Sequence, residues 1–178
     1  MRVAQINLYL YDELSPEAQK NARHWWRSGY DNVFLEPMAD ECKASLNKIG
    51  FNIERVEYSI SYTQHDFAGF VGEFFYPSSL PAFNSEEKDL EEFFSQLTKM
   101  NEKAQEPIFA KFHLSNFGNL VFDDYNHDDI PAIFRGIARW LYRKLRNEID
   151  FQLAGSTVAE ILRVNRYEFT ESGERWTD

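Results

Sequence analysis

The sequence has little cysteine and no long apolar run, which argues against a disulfide-stabilised protein and against a membrane-spanning one. Its single cysteine, Cys42, cannot form a disulfide within the chain or a cysteine-based metal cluster, which is typical of a reducing compartment. No stretch approaches the roughly 20 apolar residues that a membrane span needs. The N-terminus also lacks the basic, apolar and small-residue order of a signal peptide. We therefore expect a soluble, unexported, cytoplasmic protein.

Common motifs of nucleotide binding, acyl transfer and zinc catalysis are also missing. The sequence contains no G-x-x-x-x-G-K-[ST], G-x-G-x-x-G or G-x-S-x-G pattern. Its 4 histidines are dispersed, without H-E-x-x-H spacing. No helix-turn-helix pattern with a basic recognition helix is present. We therefore expect a protein that is not an enzyme and has no cofactor and no metal, and an enzyme without a recognisable signature is only the third hypothesis.

Aromatic residues, in contrast, are abundant. The 178 residues include 16 Phe, 9 Tyr and 4 Trp, and 43% of the chain is hydrophobic. This content excludes a disordered acidic tail as a description of the whole chain, because disordered segments are poor in aromatic residues. No internal repeat or low-complexity linker divides the sequence. We expect one domain covering residues 1–178.

Acidic residues are also in excess, with 29 Asp and Glu against 19 Lys and Arg, for a net charge of -10. The excess is concentrated in residues 84–130, whose net charge is -7, whereas residues 131–178 carry +1. An acidic surface repels phosphate backbones, so direct nucleic-acid binding is disfavoured and basic nucleic-acid-binding proteins become candidate partners. Acidity that serves solubility alone is the plain alternative.

Hydrophobic periodicity and turn residues predict an α+β fold. Ser15 and Pro16 are typical of a helix start, and a change of phase between Ile53 and Val56 indicates a β-bulge. We expect a mainly antiparallel sheet of about five to six strands covered by helices. The predicted strands are residues 3–11, 51–62, 67–76, 108–114, 120–125 and 163–169, and the predicted helices are residues 16–28, 32–48, 84–103, 128–153 and 156–162.

The first candidate site is a set of acidic side chains that could imitate nucleic-acid phosphates. Five lie within seven residues at the start of the third predicted helix, and four lie in the turn before the long C-terminal helix. Acids at a helix N-terminus are favoured by the helix dipole by about 0.3–1 kcal/mol each, so a capped, solvated helix start is the alternative. The turn at residues 123–129 lacks the glycine and closing glutamate of a calcium loop, which favours a solvated turn. The residues are Glu86, Glu87, Asp89, Glu91, Glu92, Asp123, Asp124, Asp128 and Asp129.

The second candidate site is a row of arginines in the long C-terminal helix. Arg135, Arg139, Arg143 and Arg146 follow i, i+4, i+8, i+11 spacing and fall beside a broad apolar arc. Such a row can hold phosphates or carboxylates bidentately, and so could contact nucleic acid or an acidic partner. The alternative is internal pairing with the aspartates of residues 123–129 or with the acids of the third helix.

Two smaller features complete the set of candidates. His65 and Asp66 are adjacent in the turn between the second and third strands, where they are either an acid-base pair or a hairpin turn held by local hydrogen bonds. Cys42 lies on the apolar stripe of the second helix, which favours a buried structural thiol over a reactive nucleophile.

Two blocks of the sequence resemble a poorly characterised group of small proteins encoded by bacteriophages and mobile elements. Residues 11–22 read YDELSPEAQKNA and are similar to the group's opening Tyr-Glu-Leu-Ser-x-Glu-Ala-Lys-x-x-Ala. Residues 58–72 read YSISYTQHDFAGFVG and resemble its second block, which ends in Ser-Gln-Gly-Asp-Gly-Ala-x-Phe-x-Gly. This chain has Thr63 for the serine and has His65 and Phe67 for two glycines, so the tight turn of the group is altered here.

The resemblance implies a phage or prophage protein that acts in a bacterial cytoplasm, where small acidic proteins often block host defence nucleases. The expected function is anti-CRISPR or anti-restriction inhibition. The partner would be a CRISPR effector or another host defence nuclease. This chain would bind the surface of the partner that otherwise holds nucleic acid. The alternative is a nucleic-acid-binding regulator that uses the row of arginines.

Overall fold

The computed structural model describes residues 6–61, 64–76, 88–104, 106–116 and 118–177. Short 3-10 turns at Tyr11–Glu13 and Asn32–Leu35 precede the first and second helices. Along the described chain the elements are β1 (Tyr9–Leu10), α1 (Pro16–Ser28), α2 (Glu36–Asn47), β2 (Phe51–Ser59), β3 (Phe67–Tyr76), α3 (Lys88–Ala104), β4 (Ile108–Leu114), β5 (Leu120–Tyr125), α4 (Ile130–Gln152), α5 (Gly155–Val164) and β6 (Glu168–Phe169).

Four strands form an antiparallel sheet in the order β2-β3-β4-β5. The β2–β3 register shifts between Ile53 and Arg55, which is the predicted bulge. Gly72 lies opposite the bulge with φ +154, and a Cβ there would lie 2.2 Å from the carbonyl oxygen of Asn52. Only glycine therefore fits where the two backbones come this close. Strands β1 and β6 form a separate two-stranded antiparallel sheet.

Backbone contacts divide the chain into two compact units, Phe34–Asn147 and the pair of segments Met1–Val33 with Glu148–Asp178. In the first of these units, phenylalanines cover one face of the four-stranded sheet. The fully buried ring of Phe134 in α4 lies 4.8 Å from Phe51, 5.4 Å from Phe74 and 5.2 Å from Phe112, measured between ring centroids. Such aromatic pairs contribute about 0.5–1.5 kcal/mol each beyond their burial.

Helices α3 and α4 lie side by side and run in opposite directions. Asp89, near the start of α3, bonds to Arg143, late in α4. Phe93, one turn further along α3, lies against Gly136, where a Cβ would come within 2.9 Å of its ring. The start of α3 therefore faces the later part of α4, and its last turns face the start of α4.

The unit that joins the two ends of the chain is built on α1 and α5. Ser15 caps α1, since its Oγ accepts a hydrogen bond from the Ala18 amide at 3.3 Å, and Pro16 occupies the first helical position. Arg163 of α5 holds Asp12 with a 2.8 Å ion pair. The core of this unit consists of Tyr11, Leu14, Ala18, Ala22, Val158, Ala159, Leu162 and Phe169, against which Tyr9, Trp25, Trp26 and Tyr167 pack.

The predicted α+β class and the mainly antiparallel sheet are confirmed, with six strands among the described residues. Three predicted strands were too long. The strand predicted over residues 51–62 ends at Ser59. Of residues 3–11, the described part forms a strand only at Tyr9–Leu10, and of residues 163–169 only Glu168–Phe169 does so. The expectation of a single domain stays a prediction. In the described ranges, no helix is both long and apolar enough to cross a membrane.

Candidate functional site

The first acidic group lies at the start of α3 and is partly neutralised. Glu86 and Glu87 lie outside the described residues. Glu91 and Glu92 are exposed. Asp89 is also exposed, but its Oδ2 accepts a hydrogen bond from Arg143 Nη2 at 2.8 Å. The carboxylate of Asp89 is therefore already paired within the chain.

The second acidic group lies on β5 and in the turn before α4. Asp123, Asp124, Asp128 and Asp129 are all exposed. Asp129 lines a surface cleft together with Lys99 and Lys103, which belong to the later part of α3. Asp89 lies at the opposite end of this helix, whose 17 residues span about 25 Å. Among the acids that the structure describes, the two groups are therefore not brought together into one patch.

The four arginines of α4 have two different environments. Arg143 bonds to Asp89, as the alternative of pairing with the third helix predicts. Arg146 Nη1 lies 3.6 Å from Asp66, whose side chain is only 4% exposed. Arg135 and Arg139 are exposed, and neither makes an ion pair with any residue that the structure describes. The row of four therefore reduces to two arginines whose charge is available at the surface.

Asp66 holds the end of the β2–β3 hairpin. Its Oδ1 accepts hydrogen bonds from the backbone amide of Ser61 at 3.0 Å and from the Ser61 hydroxyl at 3.2 Å. Together with the Arg146 ion pair, these bonds give Asp66 the structural role that the turn hypothesis predicted. Cys42 is buried on α2, as expected for a structural thiol. Within the described part of the chain, no group of three or more His, Cys, Asp or Glu side chains could hold a metal ion.

A surface that was not predicted lies on the sheet face opposite the phenylalanine core. Phe75 and Phe109 are directly opposite each other on β3 and β4, and are 55% and 37% exposed. Beside them, Lys111 lies 3.6 Å from Glu73 and is directly opposite Asp124 of β5. We call these five residues the open-face patch. Alternation along β4 could have revealed it, because Phe109 shares its phase with Lys111 and His113 rather than with the buried residues.

Asp123 lies beside the open-face patch. Its Oδ2 is 3.0 Å from Nδ1 of His113, and both side chains are nearly half exposed. The β4–β5 register shifts here, since Lys111 is opposite Asp124 and Phe112 is opposite Phe122. Asp123 is therefore the extra residue of a second β-bulge. Two of the predicted acids, Asp123 and Asp124, thus lie on the strand next to β4, which carries the exposed ring of Phe109.

Two surface clefts also lie outside the predicted sites. One, of about 400 Å³, is lined by Glu36, Asp40, Glu54 and Tyr58, with Lys43 and Arg55 at the same cleft. Burial raises the pKa of the Tyr58 phenol, and the negative charges of Glu36 and Asp40 raise it further. The i, i+4 spacing of Glu36 and Asp40 in the sequence could have indicated this cluster.

The other cleft, of about 560 Å³, lies in the unit that joins the chain ends. It is lined by Asn21, His24 and Trp25 of α1 and by residues of the C-terminal turn. Asn21 Nδ2 donates to the Ser172 carbonyl at 2.9 Å, and Gly173 has a φ of +85 where a Cβ would meet the Ala18 carbonyl oxygen at 2.1 Å. This close contact fixes the turn against α1, and no sequence pattern pointed to it.

Comparisons with protein-family models, curated proteins and solved structures found no match for this chain. The resemblance of residues 11–22 and 58–72 to a phage-encoded group therefore stays a prediction. In the structure, the first block covers the turn before α1 and much of that helix. The described part of the second block belongs to the β2–β3 hairpin.

Proposed function

We propose that the chain is a phage-encoded anti-defence protein that acts in the host bacterial cytoplasm. It inhibits a CRISPR effector or restriction nuclease complex by binding a basic protein surface that otherwise holds nucleic acid. The observation that carries this proposal is the open-face patch, where exposed Phe75 and Phe109 lie beside Glu73 and Asp124. The net charge of -10 gives the whole molecule the sign that such a partner attracts.

The two components of this surface have different roles in binding. Charge complementarity chiefly raises the association rate and selects the partner, and contributes less to affinity. Affinity at protein interfaces depends on a few buried aromatic or arginine residues near the centre, each costing about 2 kcal/mol or more when truncated. Phe75 and Phe109 are adjacent, exposed aromatic side chains on a rigid sheet, and so can fill this role. Glu73 and Asp124 supply negative charge in the same patch.

The experiment measures cleavage of target DNA by purified nuclease complexes, with and without the purified protein, and tests for a stable complex by size-exclusion chromatography. We expect inhibition and co-elution with an identified nuclease subunit. The double variant Phe75→Ser with Phe109→Ser should bind at least about 30-fold more weakly. Phe151→Ser is the matched control, because Phe151 is exposed but lies in the other unit. Full cleavage at saturating protein, with no complex, would rule the proposal out.

A nucleic-acid-binding regulator is the second candidate, favoured by the exposure of Arg135 and Arg139 without ion-pair partners among the described residues. A gel-shift assay at about 50 mM salt tests it, because phosphate contacts are strongest at low salt. We expect a shift that is lost in Arg135→Glu with Arg139→Glu. The same charge change at exposed Lys48 and Arg166 is the control. No shift by the unaltered protein would eliminate this candidate.

A further inference from the structure

The two edges of the four-stranded sheet differ in what they offer to a partner. At the β2 edge, side chains of α2 bond to the strand backbone. The Ile53 amide donates to Asn47 Oδ1 at 3.1 Å, and Lys43 Nζ donates to the Glu54 carbonyl at 2.8 Å. The β2 edge is therefore already engaged by the chain itself.

At the other edge, β5 is the terminal strand, and no strand among the described residues lies beyond it. The turn before it is closed by a bond from the Ser115 amide to the Asn119 carbonyl at 2.9 Å. Hydrogen-bonded and non-hydrogen-bonded pairs alternate in an antiparallel ladder, so Leu120 and Phe122 belong to non-hydrogen-bonded pairs with β4. The backbone amides and carbonyls of these two residues therefore point away from β4, toward the outer edge of β5, where another strand would bind.

The charge on this edge selects among strands that could pair with it. Asp123 and Asp124 are both exposed at the centre of β5, and Asp123 is the extra residue of the bulge. Charges and bulges on an edge strand oppose pairing with further strands in general, a second copy of β5 among them. Like charges opposite each other are destabilising, whereas opposite charges are favourable. Two copies of β5 would therefore repel each other, whereas a strand that carries lysine or arginine would be attracted to Asp123 and Asp124.

We propose that β5 binds an extended, lysine- or arginine-bearing segment of a partner protein as an additional strand of the sheet. Backbone hydrogen bonds to Leu120 and Phe122 supply affinity in this mode, and the aspartates supply selectivity. The inference rests on the proposed function, since basic segments are typical of surfaces that hold nucleic acid. It adds to that function the way in which the partner is recognised.

The test uses synthetic peptides rather than an unknown partner. The probe is a labelled peptide of alternating lysine and valine, with a glutamate–valine peptide as the charge control. A third peptide keeps the lysines but carries N-methyl groups on all of its backbone amides, which removes the donors that it needs to pair as a strand along either edge. We expect the first peptide to bind at least about tenfold more tightly than the other two in fluorescence anisotropy. Amide exchange at Leu120 and Phe122 should slow on binding.

The double variant Asp123→Lys with Asp124→Lys reverses the charge on β5. It should bind the glutamate peptide more tightly than the lysine peptide, which is the opposite of the preference expected for the unaltered protein. Glu91→Lys with Glu92→Lys is the matched control, because it makes the same charge change on α3 and should leave the preference unaltered. Equal binding of the N-methylated peptide would overturn strand addition, because attraction would then be due to charge alone. Absence of lysine-peptide binding, or binding without protection of β5 amides, would overturn it as well.

The two proposals fail separately. Peptide binding at β5 in a protein that inhibits no nuclease would remove the proposed function and leave the strand site standing. Nuclease inhibition by a protein that binds none of the peptides would remove strand addition and leave the proposed function in place.

Discussion

The two faces of the four-stranded sheet use the same residue type in opposite ways. On one face, Phe134 is buried among the rings of Phe51, Phe74 and Phe112. On the other, Phe75 shares an exposed patch with Phe109 and charged neighbours. Phe74 and Phe75 are adjacent in the sequence, yet only one of them faces the helices.

This difference shows that the apolar content of the chain serves two purposes. Buried phenylalanines stabilise the fold through the area they remove from water. An exposed phenylalanine contributes little to folding and keeps its apolar area available for association. Substitution of a buried phenylalanine should therefore lower the stability of the fold. Substitution of an exposed phenylalanine should weaken binding and leave stability nearly unchanged.

The largest expected effect is that of Phe134→Ala. Removing a fully buried ring from an aromatic cluster should lower the free energy of unfolding by about 3–5 kcal/mol, because it loses both transfer energy and packing. Phe75→Ala should change it by less than about 1 kcal/mol. Urea denaturation followed by circular dichroism measures both. Similar losses for the two variants would show that the open face is covered in solution. They would contradict the difference between a buried and an exposed face of the sheet.

The next effect concerns Asp66, which is nearly buried and holds the hairpin to Ser61 and Arg146. Asp66→Asn should cost about 1–3 kcal/mol, because a charge-assisted network is interrupted at a site with little access to water. Asp124→Asn, on the exposed β5 edge, is the control and should cost less than about 0.5 kcal/mol.

A double-mutant cycle sharpens this second prediction. Because Asp66 and Arg146 interact, combining Asp66→Asn with Arg146→Gln should cost less than the sum of the single changes. Additive costs would show that the ion pair contributes nothing to stability and that Asp66 acts through its other contacts, those with Ser61 among them.

The smallest effect is a pH dependence at Tyr58, which lies on the same side of the sheet as Phe70. The folded state raises the Tyr58 pKa above 10.0 through burial and through Glu36 and Asp40. The neutral phenol therefore contributes stability that is present below pH 10.0 and is lost as pH rises through the folded pKa.

An ultraviolet titration of phenolate formation, compared with Tyr58→Phe, isolates this group. We expect Tyr58 to ionise above pH 10.0 and Glu36→Gln with Asp40→Asn to lower its pKa. An unchanged titration in the double variant would mean that burial alone causes the shift.

Local sequence signals predicted much of the fold. Ser15 and Pro16 set the start of α1, and the phase change after Ile53 marked the bulge, because these features depend on neighbouring residues only. The strand predicted over residues 163–169 was mostly wrong, since α5 continues to Val164 and Arg166 has a φ of +52. Hydrogen bonds from the Asn165 amide to the Ile161 carbonyl at 3.1 Å and from the Arg166 amide to the Arg163 carbonyl at 3.0 Å continue the helical turn there, against local strand propensity.

The candidate sites could be predicted less well than the fold. The acidic residues were identifiable from composition, but the separation of Asp89 from Asp129 by the length of α3 was not, because it depends on how that helix lies along α4. The pairing of Arg143 with Asp89 was among the stated alternatives, whereas the Arg146 contact with Asp66 was not. Ion pairs between distant residues depend on side-chain positions that no local pattern encodes.

By itself, the sequence determined the class of the fold, the strand and helix order and the acidic character of the chain, since composition and periodicity carry that information locally. Tertiary structure alone decided which phenylalanines are buried, which arginines form ion pairs and which strands end the sheet among the described residues. Each of these depends on residues brought together from distant parts of the chain. The aspartates of β5 become candidate binding residues only because β5 is the terminal strand of the sheet among the described residues.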